Sequence, residues 1–152
     1  MDPLVCQLVP VDVVRPLRHS VLRTGRPFST CIWDGDDLPD TRHFAACSGD
    51  EVVGIATLLH RPHAAAPGAG AWQLRGMATD PQHQGRGIGA ALLAFLLDHC
   101  HRRDGGTVVW CNARVGASGF YRRHGFEIVG DEFVIPEIGP HYVMRRRLAS
   151  DA

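Results

Sequence analysis

Three glycines at alternate positions, Gly85, Gly87 and Gly89, run straight into the apolar stretch Ile88 to Leu97, and no other feature constrains this chain as much. Glycines at that spacing add no side chain to a core, and their access to left-handed backbone angles suits a tight loop. Because the loop opens into a helical run, its N–H groups lie at a helix N-terminus, where unpaired donors and the helix dipole favour an anion. Upstream, Trp72 to Thr79 reads as a strand, closed by Asp80-Pro81 because proline cannot donate to a ladder. The pattern predicts strand, phosphate loop and helix, in that order, from Trp72 to about Arg103.

Composition excludes the commoner phosphate loops. A nucleotide P-loop needs Gly-Lys-Ser/Thr, and all 16 basic residues here are arginine. A dinucleotide turn belongs after a first strand with an acidic residue about 20 positions on, which does not fit either. Without lysine, neither a Schiff base nor a lysine nucleophile is available. Acidic and basic residues balance at 16 each with no basic patch, so nucleic acid is not an expected partner. The 152 residues suffice for one domain, 1–152. No export signal and no membrane-spanning run is evident, so a cytoplasmic location with no membrane contact is expected. Cys6, Cys31, Cys47, Cys100 and Cys111 form no Cys-x-x-Cys pair and read as reduced, small apolar residues. His60 with His63, and His99 with His101, lack a shared face or a third ligand; they read as solvated, and no metal is expected.

The remaining elements follow from local pattern. Leu4 to Val9 fits a strand stopped at Pro10, and Val13 to Arg23 an amphipathic helix ended by Gly25. The Pro/Gly/Asp-rich segment Arg26 to Asp40 carries Trp33, Asp34, Asp36 and Asp37, and is either a solvated loop or an acidic, partly aromatic cleft wall. Thr41 to Cys47 and Glu51 to Leu59 form an antiparallel hairpin about Ser48-Gly49-Asp50. Arg61 to Gly70, rich in Ala, Pro and Gly, predicts a mobile connection. After the helix, Asp104-Gly105-Gly106 turns the chain into a buried strand, Thr107 to Cys111, parallel to the central one.

Two stretches go beyond local pattern. Gln84, Gly87 and Gly89 match the pyrophosphate loop Gln/Arg-x-x-Gly-x-Gly/Ala, and Asn112 to Phe126 matches Asn-Ala-Arg/Gln-x-x-Ala-x-x-Phe-Tyr-x-x-x-Gly-Phe. In both, the chain resembles the GNAT superfamily of acetyl-CoA-dependent N-acetyltransferases. Gly130-Asp-Glu132-Phe133, Glu137-Ile-Gly-Pro-His141 and Met144 resemble the tail of one GNAT subgroup, with one residue fewer between Gly139 and Pro140. The resemblance covers residues 41 to 148 well and the first 40 by layout. It implies a mixed α/β fold: a twisted, mostly antiparallel sheet of about seven strands, splayed at the central strands and flanked by four helices.

Acetyl-CoA is the implied cosubstrate, with its pyrophosphate on the amides of Gly85, Arg86, Gly87, Ile88, Gly89 and Ala90, and with Met77, Ala78, Thr79, Gln84, Asn112, Phe120 and Tyr121 along the rest of it. An amine attacking a thioester must be neutral and held in line, and it creates an oxyanion and then a thiolate. The resemblance assigns the oxyanion to the Met77 N–H; Tyr121 suits protonation of the thiolate, and either Glu132 or His141 suits the base. By period-two alternation Arg75 shares a face with Met77 and Thr79 and can hold a carboxylate or phosphate, although Glu132 and Arg75 can equally form a structural ion pair. In this fold acceptor choice rests on the first helix, the loop after it and the last two strands, here Arg18, Asp34, Asp36, Asp37, Glu132 and His141. Three functions compete: acetylation of a small-molecule amine, an acetyl-CoA sensor, and acylation of a protein partner. Tyr121 in its motif favours an enzyme, and neutral charge favours a small acceptor. The resemblance is compatible with a homodimer.

Overall fold

The computed structural model describes residues 2–148. Its strands are β1 (Leu4–Val9), β2 (Arg42–Ser48), β3 (Glu51–His60), β4 (Ala71–Thr79), β5 (Val108–Arg114), β6 (Glu127–Ile135) and β7 (Gly139–Arg147). They hydrogen-bond in the order β1-β2-β3-β4-β5-β7-β6. The α-helices among the described residues are α1 (Val11–Leu17), α2 (Ile88–Asp104) and α3 (Ser118–Arg123), three rather than the expected four. The segment between α1 and β2 makes only a π-helical turn, Arg18–Leu22, and a 3-10 turn, Phe28–Cys31, because Gly25, Pro27, Gly35 and Pro39 interrupt any longer helix. No helix among the described residues is long and apolar enough to cross a membrane.

The chain divides into two compact units, residues 1–59 with 75–98 and residues 60–74 with 99–152. In the first, β1, β2 and β3 pair antiparallel, and Gly49, at φ 58, makes the tight β2–β3 turn. α1 buries Val14 against Ile55 and Ala78, with Val9, Val11, Leu17 and Leu22 around them. Pro16 lies inside α1, where it has no N–H to give, and the chain continues as a wider π-helical turn, Arg18–Leu22. α2 forms because Ala90 to Leu97 are mostly strong helix formers, and Leu92, Leu93 and Leu96 recur on its buried side. Each such leucine contributes about 1.5–3 kcal/mol on burial. Gly54 on β3 admits this helix: a Cβ there would meet Ile88 at 3.0 Å.

In the second unit β5, β7 and β6 pair antiparallel, and β4 runs parallel to β5 over Ala71↔Val108 to Leu74↔Cys111, as the crossover predicts. The parallel ladder ends there, although β5 continues to Arg114. Gly105, at φ 68, ends α2, and the Gly106 N–H reaches back to the Cys100 carbonyl at 2.8 Å. The connection 61–70, expected to be mobile, is pinned. His63 and Ala66 exchange both backbone hydrogen bonds, Trp110 Nε1 donates to the Arg61 carbonyl, and Arg145 Nη1 donates to that of Ala65. Ala66 is small enough to enter a core cluster with Ala71, Val108 and Trp110. Of the histidines expected to be solvated, His60 is exposed while it stacks on Trp72, whereas three are half-buried and hold structure: His63 lies 4.5 Å from Trp110, His99 meets Asp104 and His101 meets the Gly106 carbonyl.

Candidate active site

β4 is closed by Asp80, whose carboxylate accepts from the Gln82 N–H at 3.0 Å and starts the 3-10 turn Pro81–His83. The His83 ring lies 3.7 Å from both Asp80 and Glu51, which fixes the approach to the glycine loop. Gly85 and Gly87 then adopt φ 80 and 75, where a β-carbon is strained. A Cβ on either would have no atom within 4 Å, so these glycines leave an open face rather than make room for a neighbour. The Ala91 N–H bonds the Gly87 carbonyl at 3.0 Å, making Gly87 the cap of a 17-residue helix. The next N–H groups, those of Ile88, Gly89 and Ala90, are the first-turn donors without a helical partner. Gly89 lies inside α2 rather than in the loop, and Ile88 is buried, which leaves only its backbone to meet any ligand there. The loop residues Gln84 to Gly87 are exposed.

Gly76 interrupts β4 with φ 60. The two-residue alternation that would put Arg75, Met77 and Thr79 on one face requires extended backbone throughout, so it does not carry across Gly76. A Cβ on Gly76 would lie 2.7 Å from Trp33 Cζ3 and 3.2 Å from Arg18 Nε: the indole is packed on the backbone next to Met77. Isolated glycine inside a strand is a sequence signal for such close approach, and it went unused. Arg75 Nη1 donates to the Asp34 carbonyl at 3.0 Å, and its guanidinium lies 5.1 Å from the Trp33 ring.

Arg18, expected to meet an acceptor, is fully buried and structural. It gives two hydrogen bonds to Asp36, at 2.7 and 3.0 Å, and one each to the Cys31 carbonyl and Thr57 Oγ1. A wide π turn is what lets an arginine follow α1 inward. Asp36 belongs to this pair and not to a solvated acidic loop; Asp34 and Asp37 are exposed. Burial alone would raise the Asp36 carboxyl, but the Arg18 hydrogen bonds, the Trp33 N–H and the Arg18 charge outweigh it and hold the group below its usual value. His43, unnoticed in the sequence, bonds Thr57 Oγ1 at 2.8 Å and the Asp36 carbonyl at 3.0 Å. Burial is the main cause of its lowered pKa.

In the second unit Tyr121 is 8% exposed, with its ring 5.3 Å from those of Phe120 and Phe126. It therefore packs as well as carrying a hydroxyl. Burial, and then the neighbouring Cys111, push the phenol far above its ordinary value, so it keeps its proton. The Cys111 thiol is itself pushed up to about 12 by burial. His141, buried on β7, pairs in register with Arg114 and Phe133. Its Nδ1 lies 2.7 Å from the Gly139 carbonyl, which can only accept; Nδ1 therefore carries the proton and Nε2 the lone pair. Glu132 is exposed, in the register break of β6 between Val129 and Phe133 that Gly130, at φ 83, opens. Asn112 is exposed and Phe120 half-buried.

Comparison with known proteins places this arrangement. The model of the acetyltransferase (GNAT) family matches residues 16–126. The uncharacterized N-acetyltransferase YitI of Bacillus subtilis (strain 168) is 29% identical over 145 residues, 95% of this chain and 97% of that protein. Among solved structures, Escherichia coli ElaA superposes with a TM-score of 0.74 at 20% identity, covering 96% of this chain and 99% of its own. An aminoglycoside 6'-N-acetyltransferase complexed with coenzyme A superposes with a TM-score of 0.77 at 16% identity, covering 97% and 99%. At these identities the structural matches establish the fold.

Proposed function

Because this chain belongs to the GNAT family of acetyltransferases, we propose that it transfers an acetyl group from acetyl-CoA to the primary amine of a small molecule. The observation that carries this reading is the glycine loop: two left-handed glycines on which a Cβ would meet no atom within 4 Å, leading into the longest helix among the described residues. The fit to a pyrophosphate is chemical. Amide donors at a helix start need no lysine, and a side chain at Gly85 or Gly87 would cover the open face.

Bound acetyl-CoA supplies an activated thioester, from which a neutral amine takes the acetyl group as an amide while the carbon–sulfur bond breaks and a proton passes from nitrogen to sulfur. The Met77 N–H, just beyond the left-handed Gly76, donates to the thioester oxygen as negative charge grows there. Ala78 and Thr79 continue the same strand along the donor, and Gln84, Asn112 and Phe120 complete its contacts. Tyr121 gives its phenolic proton to the departing sulfur. A phenol so weakly acidic is matched to this task because the same burial makes a thiolate more basic, as the neighbouring Cys111 thiol at about 12 shows. His141 Nε2 accepts the ammonium proton. Glu132, exposed, is the second candidate for that role.

The test is calorimetric titration with CoA. Gly87→Val puts a β-branched residue at φ 75 and fills the open face, so affinity should fall at least tenfold while circular dichroism stays that of the wild type. Equal binding by the two proteins refutes the placement.

A further inference from the structure

Glu51, Asp80 and His83 come together where β3 begins and β4 ends. One potential ligand atom from each lies within 4.8 Å of the other two. The backbone holds them there. The Asp80 N–H donates to the Val53 carbonyl at 2.8 Å, which sets Asp80 against the start of β3, and the His83 N–H donates to the Asp80 carbonyl at 2.8 Å, which closes the turn that carries the imidazole. Asp80 Oδ1 is taken by the Gln82 N–H, and Oδ2 stands 3.7 Å from His83 Nδ1. Glu51 Oε2 stands 3.7 Å from His83 Nε2. Both separations are longer than a hydrogen bond. His83 Nδ1 is moreover closed off from solvent and has no hydrogen-bond partner, an arrangement that costs free energy unless something occupies the space beside it.

We propose that Glu51, Asp80 and His83 bind a divalent transition-metal ion of the zinc type. The donor set is one imidazole nitrogen and two carboxylate oxygens, a combination that suits zinc and its neighbours rather than magnesium or calcium, which prefer oxygen throughout. The charge fits as well. Two carboxylates held this close repel each other, and a doubly charged cation removes that repulsion and leaves the site neutral. Zinc bonds to nitrogen and oxygen are about 2.0–2.2 Å long, which puts ligand atoms about 3.3 Å apart around a tetrahedral ion. Rotation of side chains closes the cluster to that spacing, most easily at Glu51, whose side chain is 55% exposed, against 21% for Asp80 and 17% for His83. Three protein ligands leave a fourth position to water. The bound ion ties β3, β4 and the turn Pro81–His83 together immediately before the glycine loop. The site draws on these side chains alone and does not depend on acetyl transfer.

The experiment titrates the chelator-treated, full-length chain with Zn²⁺ alone, by calorimetry and by thermal denaturation, beside Glu51→Gln, Asp80→Asn and His83→Gln. Asp80→Asn keeps the oxygen that caps Gln82, and Glu51→Gln alters an exposed group without changing its size, so both variants should show the circular dichroism of the wild type. One ion per chain should bind with micromolar Kd. Because the three ligands meet only in the folded chain, Tm should rise by about 5 °C or more at a zinc concentration about 100 times Kd. Loss of an outer-shell partner alone costs about 10–100-fold in metal affinity, so each substitution should weaken binding at least about tenfold and remove most of the rise in Tm. Co²⁺ in place of Zn²⁺ should give visible ligand-field bands without a thiolate charge-transfer band, which sets the site apart from the half-buried Cys6 and Cys47. A Kd weaker than about 1 mM, or affinity for Mg²⁺ equal to that for Zn²⁺, overturns the proposal. Binding that survives the three substitutions, or a thiolate band with Co²⁺, puts the ion elsewhere and overturns it equally.

Discussion

Gly76→Ala is the substitution for which the structure sets a magnitude. A new Cβ would stand 2.7 Å from Trp33 Cζ3 and 3.1 Å from Cη2, against an ordinary carbon contact of about 3.5–4.0 Å, so the ring must retreat by about 1 Å. It cannot do so freely, because its Nε1 is held by the Thr30 carbonyl and its backbone N–H by Asp36. Overpacking of this kind costs about 1–3 kcal/mol, and placing an L-residue in the left-handed region adds about 1–2 kcal/mol. The expected loss of stability is about 2–5 kcal/mol, read by urea denaturation followed in the far ultraviolet so that the signal does not depend on Trp33. Trp33→Ala separates the two contributions. In the double variant the steric part disappears and the conformational part remains, giving a coupling of about 1–3 kcal/mol in a mutant cycle. Additivity within about 0.5 kcal/mol would show that the indole does not rest on Gly76.

Other outcomes are equally definite. Tyr121→Phe keeps the ring among Phe120 and Phe126 and should leave CoA binding unchanged while slowing acetyl transfer about 100-fold, the usual contribution of a positioned acid; turnover within twofold of wild type removes Tyr121 from the mechanism. His141→Gln should lower kcat at least tenfold with CoA affinity unchanged, and Glu132→Gln should leave kcat within about twofold; the reverse pattern makes Glu132 the base. Asp36→Asn strands the buried Arg18 charge and should cost about 3–5 kcal/mol in denaturation, while a loss under about 1 kcal/mol would mean that the guanidinium reaches solvent. His43 is depressed in the folded chain, so the unfolded chain takes up a proton near pH 6.5 that the folded one declines. Stability should therefore fall as pH drops below about 6.5, less so in His43→Gln, and an identical pH dependence in the two proteins would contradict the burial of His43.

What the sequence could disclose was set by the range of each interaction. β1, the β2–β3 hairpin and the β4-loop-α2-β5 crossover are written in neighbouring residues: alternation stopped at Pro10, a turn at Gly49-Asp50, glycines ahead of an alanine–leucine run. The Arg18–Asp36 pair joins residues 18 positions apart, and no charge pattern tells a buried partner from a solvated one. The connection 61–70 looked mobile because its anchors lie elsewhere, Trp110 being 49 residues and Arg145 80 residues from the carbonyls they hold. Around the site, motif matching supplied the glycine loop and Tyr121. It could not supply Trp33 or the burial of Arg18, which arise from packing against Gly76.

All 16 lysine-or-arginine side chains in the chain are arginine, and this bears on how an acetyltransferase endures a thioester reagent. Thioesters acylate lysine amines without catalysis, and a protein that concentrates an acetyl donor is the first to be exposed. Here there is no lysine to modify. The other soft target, a thiolate, is disfavoured at Cys100 and Cys111, where burial pushes the thiols up to about 12. Replacing an arginine such as Arg75 by lysine would keep the charge and introduce an amine of the kind that a thioester acylates.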